Sequence, residues 1–167
     1  MKKKIVRNFL EIKSITNLNE VKKLPEDFSI KFLETPDYQL NKFFYKNIGE
    51  KYEWKDRLIW TDKNWINYVT NKNLSTYILK KKDDLVGYYE IFYHVDKKEF
   101  EIIYLGILKE YFEKKLGGYL LSYAIKKSFS NGASRMWLHT CSLDHKNALK
   151  NYLSRGMKIF KSETINV

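Results

Sequence analysis

The chain holds a single cysteine, Cys141, and only three histidines in 167 residues. One cysteine excludes an intramolecular disulfide. So few cysteines and histidines also leave a structural zinc site without its usual ligands, and no metal site is expected. Glycine (7) and proline (2) are scarce, which excludes collagen-like and Gly/Pro-rich disordered chains. No apolar run reaches the ~18 residues that span a bilayer. The N-terminus, MKKKIVRNFLEIKS, starts with base but has no adequate apolar stretch and no small-residue cleavage site. A soluble, cytoplasmic protein with no membrane partner is the expectation.

Arginine is the other scarcity. It occurs only at Arg7, Arg57, Arg135 and Arg155, although the formal net charge is +11. Base-edge readout of nucleic acid favours arginine for its bidentate fork. Lysine spread through the chain beside abundant Asn and Ile looks like a composition bias instead, and a nucleic-acid partner is not expected. The charge still favours anionic ligands and their encounter rates.

What is present is ordinary for a globular domain: 44% hydrophobic and 31% charged residues, at the length of one domain. There is no repeat, low-complexity tract or linker. Residues 1–73 are rich in Lys, Asn and Trp, with weak periodicity. A short strand is predicted over Ser29–Leu33. A helix starts near Thr35-Pro36-Asp37 and runs to Gly49, and another starts at Thr61-Asp62. Residues 74–167 are clearer. Strands are predicted at Ser75–Lys80, Val86–His94 and Glu99–Leu105, the last two joined by the turn Val95–Lys98. Leu116, Tyr119, Leu120, Tyr123 and Ala124 recur at helical spacing and stop at Asn131-Gly132. A strand follows at Arg135–Thr140, then a helix capped by Asp144, then a last strand from Met157 to Lys161.

Two segments carry chemistry. In Ile103–Leu121 a strand leads through Lys114 and Lys115 to Gly117-Gly118 and the amphipathic helix. Glycines at a helix start let backbone N–H groups approach a ligand, and those groups with the helix dipole favour phosphate. Tight packing is the competing explanation for the glycines. In Trp137–Met157 a strand passes through a polar loop into a short helix bearing Ala148 and Tyr152 on one face, ending at Gly156.

Together these segments resemble the GNAT superfamily of acyl-CoA-dependent N-acyltransferases. Its first signature runs V-x-P-x-x-[QR]-x-x-G-x-[GA], with Ile107 at the V and Gly117 at the last position. Its later signature runs N-x-x-A-x-x-x-Y-x-x-x-G-F, and His145, Ala148, Tyr152, Gly156 and Met157 fall on those positions. The run WLHTCSLDH looks like a bacterial branch with a WvHTCtLDHP-like segment. Phe112, Lys115, His145 and Met157 depart from the pattern, standing where the family has Gln/Arg, Gly, Asn and Phe. Lys115 in a left-handed conformation would be strained.

The resemblance implies an α/β (α+β) fold with a mixed, V-shaped sheet flanked by helices on both sides. It implies one acyltransferase domain over 1–167, with 1–73 on the acceptor side and 74–167 as the acyl-CoA core. It further implies acetyl-CoA as cosubstrate, a small-molecule or peptide amine as acceptor, and a homodimer by analogy. The bulged strand would be Glu99–Ile107. Backbone at Leu105 and Ile107 would hold the thioester and pantetheine, and Glu113, Lys114, Lys115, Leu116, Gly117 and Gly118 the pyrophosphate. His145 and Ala148 would also contact the cofactor. Tyr152 would be the acid for the leaving thiolate.

The base is sought among carboxylates. With a hairpin turning about Asp96-Lys97, Glu90 faces Ile103 and Glu101 faces Phe92. Both carboxylates then share one sheet face with Tyr88 and Leu105, while Tyr89 and Tyr104 lie opposite. Two close carboxylates raise one pKa. Glu101 is favoured over Glu90 as nearer the bulge; the alternative is that both only bind a cation. His139 is expected near the core and His94 in solvent. Trp54, Trp60 and Trp65 are read as packing; alternatively, Trp54, Asp56 and Arg57 form a substrate-recognition loop over the cleft. Two further functions stay open: a GNAT-fold binder without catalysis, and a basic polyanion-binding domain.

Overall fold

A computed structural model describes residues 2–112 and 114–167. Among the described residues, seven strands form one mixed sheet: β1 (Lys4–Ile12), β2 (Phe28–Phe32), β3 (Leu74–Lys81), β4 (Asp84–His94), β5 (Glu99–Ile107), β6 (Arg135–Cys141) and β7 (Lys158–Asn166). Their order is β2-β3-β4-β5-β6-β1-β7. The described residues also form four α-helices: α1 (Tyr38–Gly49), α2 (Asp62–Val69), α3 (Leu116–Ser130) and α4 (Ala148–Ser154).

Alternation along the strands sorts the two layers. Ile78 and Tyr88 meet Phe44 and Ile48 of α1 on one face. Tyr77, Leu79 and Tyr89 turn the other way, into a core with Leu120, Leu121, Ala124 and Ile125 of α3. The helix starts are chemically specified. Asp37 caps α1 by accepting from the Gln39 N–H at 3.1 Å. Thr61 and Asn64 form a capping box on α2. Each cap contributes about 1 kcal/mol.

The last strands depart from the sequence reading. Lys4–Ile12, where the sequence pattern predicts no element, is a strand inserted between β6 and β7. Leu10 and Ile12 enter the core, but the flanking charges blur the alternation that would have shown it. Asp144 does not cap α4; Asn147 precedes that helix instead. Asp144 folds back on the end of β6, accepting from Thr140 Oγ1 at 2.5 Å and the Cys141 N–H at 2.9 Å.

The hairpin register also differs at one residue. Phe92 pairs with Glu101, but Ile91 pairs with Ile102 and Glu90 with Tyr104, so Ile103 bulges out. The extra residue reverses the facing beyond it. Tyr104 lies on the Glu90 face, against Tyr88 and Trp54, and Leu105 lies on the α3 face.

Candidate active site

The central feature is an opening between β5 and β6. These parallel strands pair only over Glu99–Glu101 and Arg135–Trp137. Beyond Glu101, β5 has β4 on one side and, among the described residues, no strand on the other. Which groups face the opening follows from the ladder. The Leu108 N–H donates to the Val86 carbonyl at 2.8 Å. Antiparallel pairs alternate between bonded and non-bonded, so Gly106 and Tyr104 turn their backbone groups toward β4. Leu105 and Ile107 therefore turn N–H and C=O into the opening. Backbone polar groups inside a sheet are nearly always paired, so this edge is a place for a ligand's amides.

At one end of the opening lies the start of α3. Lys115 precedes it with φ 56° and ψ 22°, the left-handed region. The chain keeps the path that a glycine would take and accepts strain of about 1–2 kcal/mol. Among the described residues, the first turn of α3 has no side-chain cap and no acidic residue, so its N–H groups are available to an anion. Leu116 is buried in the core. Gly117 is open toward Asn151, whose Nδ2 would lie 3.5 Å from an added Cβ. Gly118 is packed under Arg155 and Val21, so close helix packing accounts for that glycine. Glu113 lies outside the described residues, and Lys114 stands just before the helix.

On the β6 side, Tyr152 of α4 is buried, and burial with the nearby Asp144 carboxylate pushes its hydroxyl well up. His145 accepts from the Asn147 N–H at 3.0 Å through Nδ1, and its ring meets Phe112 edge-on at 5.0 Å. Two of the four departures from the family pattern, Phe112 and His145, therefore pack against each other. Ala148 packs on the core beside Tyr152.

The two carboxylates occupy different worlds. Glu90 is fully buried and saturated. It accepts from Asn41 Nδ2 at 2.8 Å and Tyr68 Oη at 2.6 Å, and pairs with Arg57 at 3.0 Å. Arg57 lies over the rings of Tyr68 at 4.1 Å, Tyr104 at 4.6 Å and Trp60 at 4.8 Å. Burial opposes its charge, but Glu90 and the surrounding tyrosines outweigh this and raise the guanidinium pKa. Arg57 is thus part of the interior rather than a surface recognition loop.

Glu101 is mostly buried, at the last pair between β5 and β6 where the opening begins. Burial raises its pKa, and His94 opposes the shift through a 3.0 Å contact from Nε2. His94 is not left in solvent: it stacks with Trp137 at 5.9 Å and meets Phe92 edge-on at 5.0 Å. Its pairing with Glu101 follows from register, since Phe92 faces Glu101 and His94 faces Glu99. That signal was present in the hairpin, but its place beside the turn suggested exposure. His139, expected near the core, is exposed beside Phe9, at 5.5 Å between rings. Cys141 is half-buried, and burial raises its thiol. Among the described residues there is no group of three metal-ligating side chains and no helix long and apolar enough to cross a membrane.

Comparison with known proteins agrees with this architecture. No curated protein matches the sequence. Among solved structures, a GCN5-related N-acetyltransferase from Sphaerobacter thermophilus is similar with a TM-score of 0.76 and 12% identity, over 99% of this chain and 53% of that one. One from Kribbella flavida gives 0.67 and 15%, over 96% and 57%. The chain thus spans little more than half the length of these two. An aminoglycoside acetyltransferase, meta-AAC0020, from an uncultured soil metagenomic sample gives 0.66 and 15%, over 80% of this chain and 90% of that one. The sequence model of the acetyltransferase (GNAT) family matches residues 32–157, and the chain belongs to that family.

Proposed function

We propose that the chain is an N-acetyltransferase that moves the acetyl group of acetyl-CoA directly to a primary amine of a small-molecule or peptide acceptor. The observation that carries this reading is the free edge of β5 at Leu105 and Ile107, ending beside the uncapped start of α3. In this reading, Leu105 and Ile107 pair with the pantetheine amides as an added strand would. N–H groups from Lys114 to Gly118, with the two lysine charges, hold the pyrophosphate. His145 and Ala148 flank it.

Glu101 takes the proton of the acceptor's ammonium, directly or through water. The neutral amine forms the C–N bond, the C–S bond breaks, Tyr152 protonates the leaving thiolate, and the proton shed by the acylated nitrogen returns to Tyr152 through water. The Leu105 N–H polarises the thioester carbonyl. Glu90 acts by holding Arg57, which lies on Tyr104 beside Leu105, and so fixes the bulged strand. The amine class rests on Glu101 and its aromatic surround, Phe92, His94 and Trp137. An aminoglycoside acetyltransferase among the fold neighbours is consistent with it.

A thermal-shift titration with acetyl-CoA, beside ADP and a short DNA duplex at two salt concentrations, tests the reading. Ligand at ~100 times its Kd stabilises by about 2.7 kcal/mol. A shift with acetyl-CoA well beyond that with ADP supports pantetheine binding. No acetyl-CoA shift, with a salt-sensitive DNA shift, rejects it for polyanion binding.

A further inference from the structure

The segment after α1 is built to place one indole across the opening between β5 and β6. Trp54 lies 4.4 Å from the Tyr104 ring of β5, and its Nε1–H donates to Asp144 Oδ1, beyond β6, at 3.4 Å. Both ends of this bridge are fixed. Tyr104 is held between Arg57 and Tyr45. Asp144 is held by Thr140 and the Cys141 N–H.

The local chain is shaped for the indole. Gly49 ends α1 where any Cβ would come within 2.5 Å of the Trp54 ring, so the helix is hollowed to seat it. Glu53 takes a left-handed φ of 57°, turning the chain back, and the Trp54 N–H closes the turn on the Gly49 carbonyl at 3.0 Å. A residue there with a free choice of side chain would need neither the glycine nor the left-handed turn.

We propose that Trp54 sets the length of acyl chain that the site accepts, restricting it to short groups such as acetyl. The inference rests on the acyl-CoA reading above. Tyr104 precedes Leu105, so an acyl group held at the Leu105 N–H lies next to the ring on which Trp54 rests. A two-carbon group needs no space beyond it. An extended alkyl chain meets the indole, which is braced on both sides and on the hollowed helix end. In a close-packed wall each excess methylene is felt.

The test is a ladder of equilibrium dissociation constants for free CoA, acetyl-CoA, butyryl-CoA and octanoyl-CoA, measured calorimetrically on the full chain and on Trp54→Ala. The full chain is expected to bind octanoyl-CoA about tenfold or more weakly than acetyl-CoA, the scale on which hydrophobic pockets discriminate by size. Trp54→Ala is expected to bring the two within about threefold or to invert them, with free CoA affinity retained. Trp54→Leu, a smaller change, is expected to shift the ratio in the same direction and serves if the alanine variant does not fold. Octanoyl-CoA binding the unaltered chain as tightly as acetyl-CoA overturns the proposal without any variant. So does discrimination that survives both substitutions. Failure of every CoA species to bind overturns the acyl-CoA reading itself, and this proposal with it.

Discussion

Replacing Arg57 with methionine keeps most of the side-chain volume and removes the charge. It leaves Glu90, fully buried, with hydrogen bonds from Asn41 and Tyr68 but no counter-ion. Breaking a buried pair from one side costs about 3–5 kcal/mol. The two surviving hydrogen bonds place Arg57→Met at the lower end, about 3 kcal/mol. In a domain of this size each kcal/mol moves Tm by about 2–4 °C, so the expected loss is roughly 6–12 °C by calorimetry. The double variant Arg57→Met/Glu90→Leu removes the stranded carboxylate, and recovers most of that loss because a well-packed apolar replacement is often neutral. The cycle therefore reads a coupling of about 2 kcal/mol or more. A single variant within about 0.5 kcal/mol of the parent, or a double variant that loses the plain sum, refutes the claim that Glu90 is committed to Arg57.

Lys115→Gly relieves a left-handed φ, partly offset by the freer unfolded chain, and is expected to raise stability by up to about 1 kcal/mol, read as denaturant midpoint. Lys115→Val at the same position should destabilise instead. Glu101 has a pKa raised by burial, so its contribution to stability is present below the ordinary glutamate pKa and is lost as pH rises through the raised value. Relative to the parent, Glu101→Gln should therefore gain stability between pH 4 and pH 7 in chemical denaturation; a pH-independent difference contradicts this. In catalysis the ionised form is the base, so transfer rate should fall on acidification through a pKa raised from the ordinary glutamate value, and Glu101→Gln should lose that limb with roughly 100-fold of the rate. Tyr152→Phe should slow transfer by a similar factor while sparing acetyl-CoA affinity, and should show no basic limb near neutrality to remove, because burial keeps the phenol protonated.

The sequence exposed the second half of the fold because its helices and strands bury one clean face each. The spacing from Leu116 to Ala124 and the pair of β-rich runs around Asp96-Lys97 translate directly into α3, β4 and β5. It hid β1, where Lys4, Arg7 and Glu11 interrupt the pattern of a strand whose partners, β6 and β7, are far along the chain. The bulge at Ile103 was expected for the strand but not at its residue, and a shift of one residue exchanges faces for everything beyond it. Glu90 and Glu101 were visible as odd carboxylates in mid-strand. What separates them is invisible locally, since Arg57, Asn41 and Tyr68 reach Glu90 from the helical layer, whereas Glu101 is met by its hairpin neighbour His94. Trp54 as a bridge could not be read either, because its partners Tyr104 and Asp144 belong to segments 50 or more residues away.

Amide hydrogen exchange at Leu105 and Ile107, resolved by NMR with and without acetyl-CoA, measures the central claim most directly. Both N–H groups face the opening rather than β4, so they should exchange quickly in the free chain while Tyr104 and Gly106 stay protected. With acetyl-CoA bound, Leu105 and Ile107 should become protected as if a strand had been added. Protection of these two amides in the free chain, or acetyl-CoA binding that leaves their exchange unchanged, would contradict the account.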